Sequence, residues 1–193
     1  MALQAKKIGF FSPYNRRVKQ LLKELFPARE RMNMLFLRLR TLGRMVDYMG
    51  YYDESNTFCG FSYVIHTDRM AFILFLAVDT SIQSKGYGSE IMRLIMCKHA
   101  GKEITLNCES QNEAAENAAQ RERRIRFYER LGLHVTDWQY VEEEDDPYSI
   151  MSTGPALSVE EYRRLMKSFS FGLYHPKVRK VSGQGAEEGA AKR

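Results

Sequence analysis

Two glycines at a strand-to-helix junction are the residues best suited to bind an anion. Gly86 and Gly88 follow the apolar run Met70–Val78 and open a segment with helical periodicity. Glycine permits tight turns in which backbone N–H groups converge, and the first N–H groups of a helix lack intrahelical partners. We therefore expect a phosphate-binding loop. No GxxxxGK(S/T) string occurs, and a dinucleotide-binding GxGxxG loop fails because its third position is Ile91.

The cysteines and histidines form no metal or disulfide pattern. Cys59, Cys97 and Cys108 are odd in number and lack a CxxC spacing, so neither a zinc site nor a disulfide framework is expected. The four histidines lack an HExxH spacing, and we predict no metal. Cys108 and His134 could form a nucleophilic pair, but free cysteines are more often buried as small apolar side chains.

Apolar spacing predicts the elements that position these residues. Residues with helical periodicity lie at Asn15–Leu25, Arg29–Leu42, Gly86–His99, Glu113–Leu131 and Ser158–Lys167. Strand character is found at Val46–Tyr52, Thr57–His66, Met70–Val78, Glu103–Cys108, Leu133–Val141 and Tyr148–Thr153. Hairpins followed by a β-α-β-α-β order predict an α/β fold, with a mixed sheet and helices on both faces.

Two motifs within this framework resemble one family. Gln83–Gly88 fits the (Q/R)xxGx(G/A) pyrophosphate loop of the GNAT superfamily of acyl-CoA-dependent N-acetyltransferases, and Ile125–Leu133, about 40 residues downstream, is similar to its FYxxxGF segment. The similarity extends over Val46–Thr153 and includes bacterial-type members. It implies a mixed, mostly antiparallel sheet that is splayed at the cofactor strand, and acetyl-CoA as co-substrate without a metal.

The resemblance also implies which residues contact the cofactor. The pyrophosphate would be held through backbone N–H groups of the loop, and the pantetheine amides would pair with the edge of the preceding strand. The loop residues are Gln83, Ser84, Lys85, Gly86, Tyr87, Gly88 and Ser89, and the strand residues are Leu76, Ala77 and Val78.

Acetyl transfer to an amine needs a base for the ammonium and an acid for the departing thiolate. Tyr128 corresponds to the family tyrosine and is the predicted acid; it shares a helical face with Arg121 and Ile125. Glu109, at the end of the strand that starts at Glu103, is the predicted base, or else binds the amine as an ammonium ion. The alternatives are a core tyrosine and a solvated glutamate.

Arg121 stands where many family members carry an asparagine that contacts the pantetheine. An arginine on an apolar face needs an anion, so we expect it to reach the cofactor or an acidic partner such as Glu109. Asn117, one turn earlier, could supply the missing amide. Both residues are predicted to bind the cofactor.

The length and charge of the chain limit what can be expected of its domains, its tail and its location. The 193 residues carry 29 basic and 24 acidic side chains, a net charge of +5, and we expect one domain over residues 1–175. Residues 176–193 are basic and poor in large apolar side chains, which predicts a disordered tail. The apolar run Met70–Val78 is too short to span a membrane, and no signal peptide is indicated, so we expect a cytoplasmic protein without a membrane partner.

The acceptor is not determined by the sequence. The acidic run Glu142–Asp146 could attract a polyamine, an aminoglycoside or a lysine-bearing peptide, or be a solvated loop. We predict an N-acetyltransferase, monomeric or homodimeric, that acts on a primary amine of a small molecule or peptide by direct attack in a ternary complex. One alternative is a catalytically silent acyl-CoA sensor of the same fold. A basic nucleic-acid binder is the other, because Arg16–Arg44 has nine basic and two acidic residues; no RNP, KH or zinc-finger pattern supports it.

Overall fold

One sheet of eight strands forms the centre of the described chain. The computed structural model describes residues 2–82, 86–142 and 146–181. The strands are β1 (Gln4–Lys7), β2 (Val46–Tyr52), β3 (Phe58–His66), β4 (Met70–Val78), β5 (Glu103–Glu109), β6 (His134–Tyr140), β7 (Tyr148–Ser152) and β8 (Val178–Lys180). Their order is β1-β2-β3-β4-β5-β7-β6-β8. Within this part of the chain only β4 and β5 pair in parallel.

Helices cover both faces of the sheet, as predicted. The helices are α1 (Asn15–Leu25), α2 (Met34–Arg40), α3 (Tyr87–Lys98), α4 (Ala118–Glu129) and α5 (Val159–Phe169). Apolar side chains of α1, α2 and α5 pack in one core, and those of α3 and α4 pack in the other. Over the described residues, no helix has both the length and the apolar character needed to cross a bilayer. The predicted α/β class with a mostly antiparallel mixed sheet is confirmed.

Asparagine side chains shorten two of the predicted helices. The helix predicted over Arg29–Leu42 is a 3₁₀ turn at Ala28–Glu30 followed by α2, because the Asn33 side chain accepts hydrogen bonds from the N–H groups of Leu35 and Phe36 at 2.8 and 3.3 Å. Such an N-cap fixes where a helix begins.

The helix predicted over Glu113–Leu131 begins only at Ala118. The Asn112 side chain accepts from the Ala114 N–H at 3.0 Å, which stabilises a turn in place of the first helical residues. Asn117 then occupies the N-cap position. The loop before α4 therefore comes close to the end of β5.

The parallel pair β4–β5 separates halfway along its length. Its pairing extends only from Met70–Glu103 to Ile73–Leu106. At the same position β4 has a bulge on its other side, because Tyr63 pairs with Phe75 while Val64 pairs with Ile73. Beyond the bulge β4 follows β3 and β5 follows β7, so a cleft opens between Leu74–Val78 and Asn107–Glu109.

The two outermost strands were not predicted. β1 and β8 are short, and their side chains are largely exposed, so they lack the apolar alternation that marks a strand. β8 pairs with β6 through Val178–Tyr140 and Lys180–Trp138. The expectation of a disordered tail from residue 176 is therefore wrong for these residues, because backbone pairing with β6 orders them. Residues 182–193 lie outside the described chain.

Candidate active site

The cleft between β4 and β5 widens into a cavity of about 680 Å³. Its walls come from the splayed strands, from the starts of α3 and α4, and from the segment between α1 and α2. Residues that line it and carry chemistry or backbone edges include Glu30, Leu76, Ala77, Val78, Gly88, Glu109, Asn117, Arg124, Tyr128 and Tyr148. The structure thus brings the predicted strand residues, Glu109, Asn117 and Tyr128 to one cavity.

Beyond Ile73, the cavity edge of β4 is not paired with any strand in the described part of the chain. Leu76, Ala77 and Val78 pair with β3 on one side, and β5 has already diverged on the other. An extended amide chain can pair with such an edge as another strand would. This geometry fits the predicted pantetheine contact.

Gly60 lets β3 approach this part of β4 closely. A Cβ built on Gly60 would overlap the carbonyl oxygen of Ala77, so any larger residue would push β4 toward the cavity. No role for Gly60 was predicted, although a glycine inside a strand can indicate a close backbone approach.

The N-terminus of α3 lies at the cavity wall, which Gly88 helps to line. Gly86 takes a left-handed conformation with φ of 76° at the N-cap, which only glycine adopts without strain. The first intrahelical bond runs from the Glu90 N–H to the Gly86 carbonyl at 3.3 Å, so the N–H groups of Tyr87, Gly88 and Ser89 have no partner within α3.

Gly88 lies where α3 meets α4 and adds no side chain to the cavity wall. Its position is part of the cavity lining, and a Cβ there would lie 3.4 Å from Cζ of Phe127. The Tyr87 side chain is buried in the core and Ser89 is exposed, and neither is among the lining residues of the cavity. The predicted loop residues Gln83, Ser84 and Lys85 lie outside the described residues.

Tyr128 lies on the α4 wall of the cavity with its hydroxyl kept protonated. Burial raises the pKa of Tyr128 well above the ordinary tyrosine value, helped by nearby Cys108, while Arg124 acts in the opposite direction. A group that must donate a proton at neutral pH needs to hold it in the resting state. The arrangement fits the predicted acid.

Cys108 and His134 do not form a nucleophilic pair. Burial raises the pKa of the Cys108 thiol to about 11, whereas a nucleophilic cysteine needs its thiolate form. Cys108 pairs with Ser149 and His134 pairs with Ser152, so the two lie about 10 Å apart along the strand direction. His134 is also exposed.

Glu109 is the last residue of β5. Its carboxylate is buried, and donors of the protein contact both of its oxygens. The side chain is 7% exposed. Oε2 accepts from the Arg124 guanidinium at 2.5 Å, and Oε1 accepts from Asn117 Nδ2 at 3.4 Å and lies 3.6 Å from Arg121. The predicted base therefore faces the cavity, but its oxygens are already contacted by donors of the protein.

These features coincide with a known family. The sequence model of the Acetyltransferase (GNAT) family matches residues 15–133. The chain belongs to this family. No curated protein matches the sequence significantly.

Solved structures share the GNAT fold with this acetyltransferase. A GNAT-family protein from Bacteroides thetaiotaomicron has 21% identity and a TM-score of 0.67 over 89% of this chain and 99% of its own. Arabidopsis thaliana Naa50, in complex with the bisubstrate analogue CoA-Ac-MVNAL, has 20% identity and a TM-score of 0.57 over 80% and 99%. An aminoglycoside 6'-N-acetyltransferase complexed with coenzyme A has 13% identity and a TM-score of 0.60 over 80% and 99%.

In this GNAT protein Arg121 binds the protein's own anions. Its side chain donates to both carboxylate oxygens of Asp146, at 2.6 and 3.1 Å, to the Ser110 carbonyl at 3.2 Å and to Asn117 Oδ1 at 2.8 Å. Hydrogen bonds from Arg121, and also from Arg29, outweigh burial and hold the pKa of Asp146 below its ordinary value. The predicted contact of Arg121 to the cofactor is not supported, because these bonds use its donors and it is not part of the cavity lining. The expected acidic partner is present.

A second carboxylate of the GNAT cavity was missed by sequence reasoning. Glu30, in the 3₁₀ turn between α1 and α2, accepts a hydrogen bond at 2.6 Å from the hydroxyl of Tyr148 on β7. Burial raises the pKa of Glu30; repulsion by Glu109 adds to this, while the Tyr148 hydrogen bond, Arg124 and Arg29 oppose it. A partly buried carboxyl with a raised pKa in a cleft is a functional candidate. No sequence pattern linked residues 30 and 148.

Five arginines of the basic segment Arg16–Arg44 bind groups of the GNAT domain. Arg17 and Arg29 bind Asp79 and Asp146. Others donate to backbone carbonyls: Arg31 to Phe26 and Lys23, Arg38 to Phe10, and Arg40 to Ser168. Much of the charge that suggested a nucleic-acid partner is therefore neutralised or oriented within the fold.

Proposed function

We propose that the protein transfers an acetyl group from acetyl-CoA to a primary amine of a small molecule or peptide, by direct attack in a ternary complex. The observation that carries the proposal is the splay of β4 from β5, which joins the N-terminus of α3 to a buried pocket holding Tyr128 and two carboxylates. Membership in the GNAT family and the coenzyme A complex of a structural neighbour support it.

The chain offers suitable contacts for acetyl-CoA. The N–H groups of Tyr87, Gly88 and Ser89 and the positive end of the α3 dipole suit a pyrophosphate. The free edge of Leu76–Val78 suits the pantetheine amides. Gly88 lines the cavity without a side chain of its own. Binding by Gln83, Ser84 and Lys85 stays a prediction.

Tyr128 is proposed as the acid. Acetyl-CoA supplies an activated thioester, and its sulfur leaves as a thiolate that needs a proton. Tyr128 is protonated, lies on the cavity wall and has no charged partner within hydrogen-bond distance among the described residues. Backbone N–H groups on the edge of β4 beyond its last pair with β5, Ile73–Leu106, are proposed as donors to the developing oxyanion.

The base is proposed to be a carboxylate of this cavity. Glu109 is the residue that the sequence predicts, either as base or as the group that binds the ammonium ion. Its Oε1 atom is the more accessible one, because the contacts to Asn117 and Arg121 are long, at 3.4 and 3.6 Å. The variant Glu109→Gln would test both roles: loss of kcat supports the base, and a raised KM for the amine supports binding.

The decisive experiment measures thiol release from acetyl-CoA with a panel of polyamines, aminoglycosides and lysine-bearing peptides. We expect release with at least one amine and an acetylated product of matching mass. Acetyl-CoA binding by calorimetry without release on any amine would contradict the enzyme proposal for these acceptors and favour an acyl-CoA sensor.

A further inference from the structure

We propose that Glu30 is the residue that accepts the proton of the acceptor amine, and that Tyr148 positions it. The inference rests on the proposed acetyltransferase function and deepens it. It assigns a catalytic role to the turn between α1 and α2, which lies far from the GNAT motifs in the sequence.

Glu30 and Glu109 face the same cavity from opposite elements. Glu30 comes from the 3₁₀ turn Ala28–Glu30 and Glu109 from the end of β5, and both line the cavity with Tyr128. Tyr148 links them, because it is the cross-strand partner of Glu109 and donates its hydroxyl to Oε1 of Glu30 at 2.6 Å. The turn therefore places a second carboxylate within reach of an amine bound in the cleft.

The contacts of the two carboxylates favour Glu30 as the proton acceptor. Glu109 is contacted by two guanidinium groups and an amide, which stabilise its negative charge and compete with an incoming amine. Within the described residues the Glu30 carboxylate accepts one hydrogen bond, from Tyr148. Its second oxygen can receive a proton.

The electrostatic surroundings of Glu30 agree with this role. Burial raises the pKa of Glu30 despite Tyr148, Arg124 and Arg29, which lower it, and Glu109 adds to the rise. A carboxylate is a better base when its pKa is closer to the working pH. Arg29 is anchored to Asp146 at 2.8 Å, which ties the turn carrying Glu30 to the segment preceding β7.

The proposed step balances in protons and electrons. The amine enters as an ammonium ion, one N–H bond breaks, and the proton joins the Glu30 carboxylate while the electron pair stays on nitrogen. That pair forms the bond to the thioester carbonyl carbon, and the carbon–sulfur bond breaks with its pair on sulfur. Tyr128 gives its proton to the sulfur and regains one from the nitrogen. Glu30 then releases its proton to water, so the products are the acetamide, coenzyme A and one proton.

The test compares Glu30→Gln and Tyr148→Phe in the full chain, with Glu54→Gln as the exposed control. Glu109→Gln tests the rival base: it should keep the acid limb of the pH profile, and loss of that limb in Glu109→Gln but not in Glu30→Gln would contradict the inference. With the amine identified by thiol release, we expect Glu30→Gln to lower kcat by about 100- to 10,000-fold and to abolish the acid limb of the pH profile of kcat/KM. Acetyl-CoA affinity and melting temperature should stay as in the wild type. Tyr148→Phe should move the acid limb to higher pH, because the lost hydrogen bond had lowered the pKa of Glu30.

Two results would overturn the inference. Glu30→Gln activity within about twofold of the wild type, with the acid limb intact, would remove Glu30 as the base while leaving the acetyltransferase proposal standing. Absence of thiol release by the wild-type protein with every amine would remove both. If Glu30→Gln fails to fold, the pH profile of Tyr148→Phe decides. An acid limb at higher pH than in the wild type supports the proposal, and an acid limb at the wild-type pH contradicts it.

Discussion

Arg17 on α1 binds Asp79, the residue directly after β4, through two parallel hydrogen bonds of 2.8 and 2.6 Å. Asp79 is 5% exposed and also accepts from the backbone and hydroxyl of Ser81, at 3.1 and 2.8 Å. Burial alone would raise the pKa of Asp79, but the bonds from Arg17 and Ser81 outweigh it and keep that pKa below its ordinary value. The ion pair thus fixes the exit of β4, where the predicted phosphate-binding loop begins.

Replacing Arg17 should destabilise the segment that directly follows β4. We expect Arg17→Ala to lower the free energy of unfolding by about 1–3 kcal/mol, because a buried carboxylate loses charged hydrogen bonds. It should also raise the Kd of acetyl-CoA by about tenfold, or 1.4 kcal/mol. Urea unfolding and calorimetry measure these effects. The neighbouring exposed Arg16 provides the control, and an equal effect of Arg16→Ala would show that general charge, not the pair, is responsible.

Gly60 should be intolerant of any side chain. In Gly60→Ala the new methyl group would overlap the Ala77 carbonyl, so β4 must shift toward the cavity, at a cost of about 1–3 kcal/mol. We expect weaker acetyl-CoA binding together with a lower melting temperature. Gly9→Ala is the matched control, since a Cβ at Gly9 meets nothing within 4 Å. Unchanged acetyl-CoA affinity in Gly60→Ala would mean that this stretch of β4 does not contact the cofactor.

Tyr128→Phe should separate chemistry from binding. Removing the acid should lower kcat by about 100- to 10,000-fold, while acetyl-CoA affinity stays the same. Since the pKa of Tyr128 is raised, wild-type kcat should not decline from its ionisation below about pH 10, the ordinary tyrosine value. Tyr63→Phe, which loses a core hydrogen bond to the Leu37 carbonyl at 2.9 Å, should lower stability and leave kcat unchanged. Full activity of Tyr128→Phe would exclude it as the acid.

His99 should make the fold sensitive to mild acid. Burial lowers the pKa of His99 to about 4; Asp47 opposes this, and His66, Lys102 and Lys98 add to it. The unfolded chain has a histidine pKa of about 6.5, so between these values unfolding takes up a proton. Stability is therefore complete above about pH 6.5 and falls as pH drops toward 4, by at most about 1.4 kcal/mol per pH unit.

Urea unfolding at a series of pH values checks this slope. We expect His99→Gln to flatten it and exposed His134→Gln to leave it unchanged. A slope between pH 6.5 and 4 that persists in His99→Gln would contradict this prediction. The carboxylates Asp79 and Asp146 do not explain such a slope, because their pKa values are held below the ordinary value and their stabilisation is lost only below about pH 4.

The framework of the site was predictable because local patterns determine it. The apolar run predicted β4, and Gly86 and Gly88 predicted where α3 begins; anion binding at that helix start stays a prediction. The start of α4 was misplaced because the side chain of Asn112 competes with the helix for a backbone N–H. Short polar strands such as β1 and β8 carry no apolar alternation, so they were missed.

The charged contacts of the site could not be predicted from sequence spacing. Glu30 and Tyr148 are 118 residues apart in the chain, and Arg29 and Asp146 are 117 apart. Only the folded topology, which places the α1–α2 turn above β7, brings these groups together. The family position of Arg121 suggested the cofactor, whereas its partner Asp146 comes from the segment before β7.

The pairing of β8 with β6 has a practical consequence for handling the protein. A chain cut at residue 175, where composition alone would place the domain boundary, would remove Val178–Lys180 and uncover the hydrogen-bonding edge of β6 from Trp138 to Tyr140. Exposed edges of this kind recruit strands from other molecules. Truncated versions should therefore retain residues through at least Val181, so that this edge stays capped and self-association is avoided.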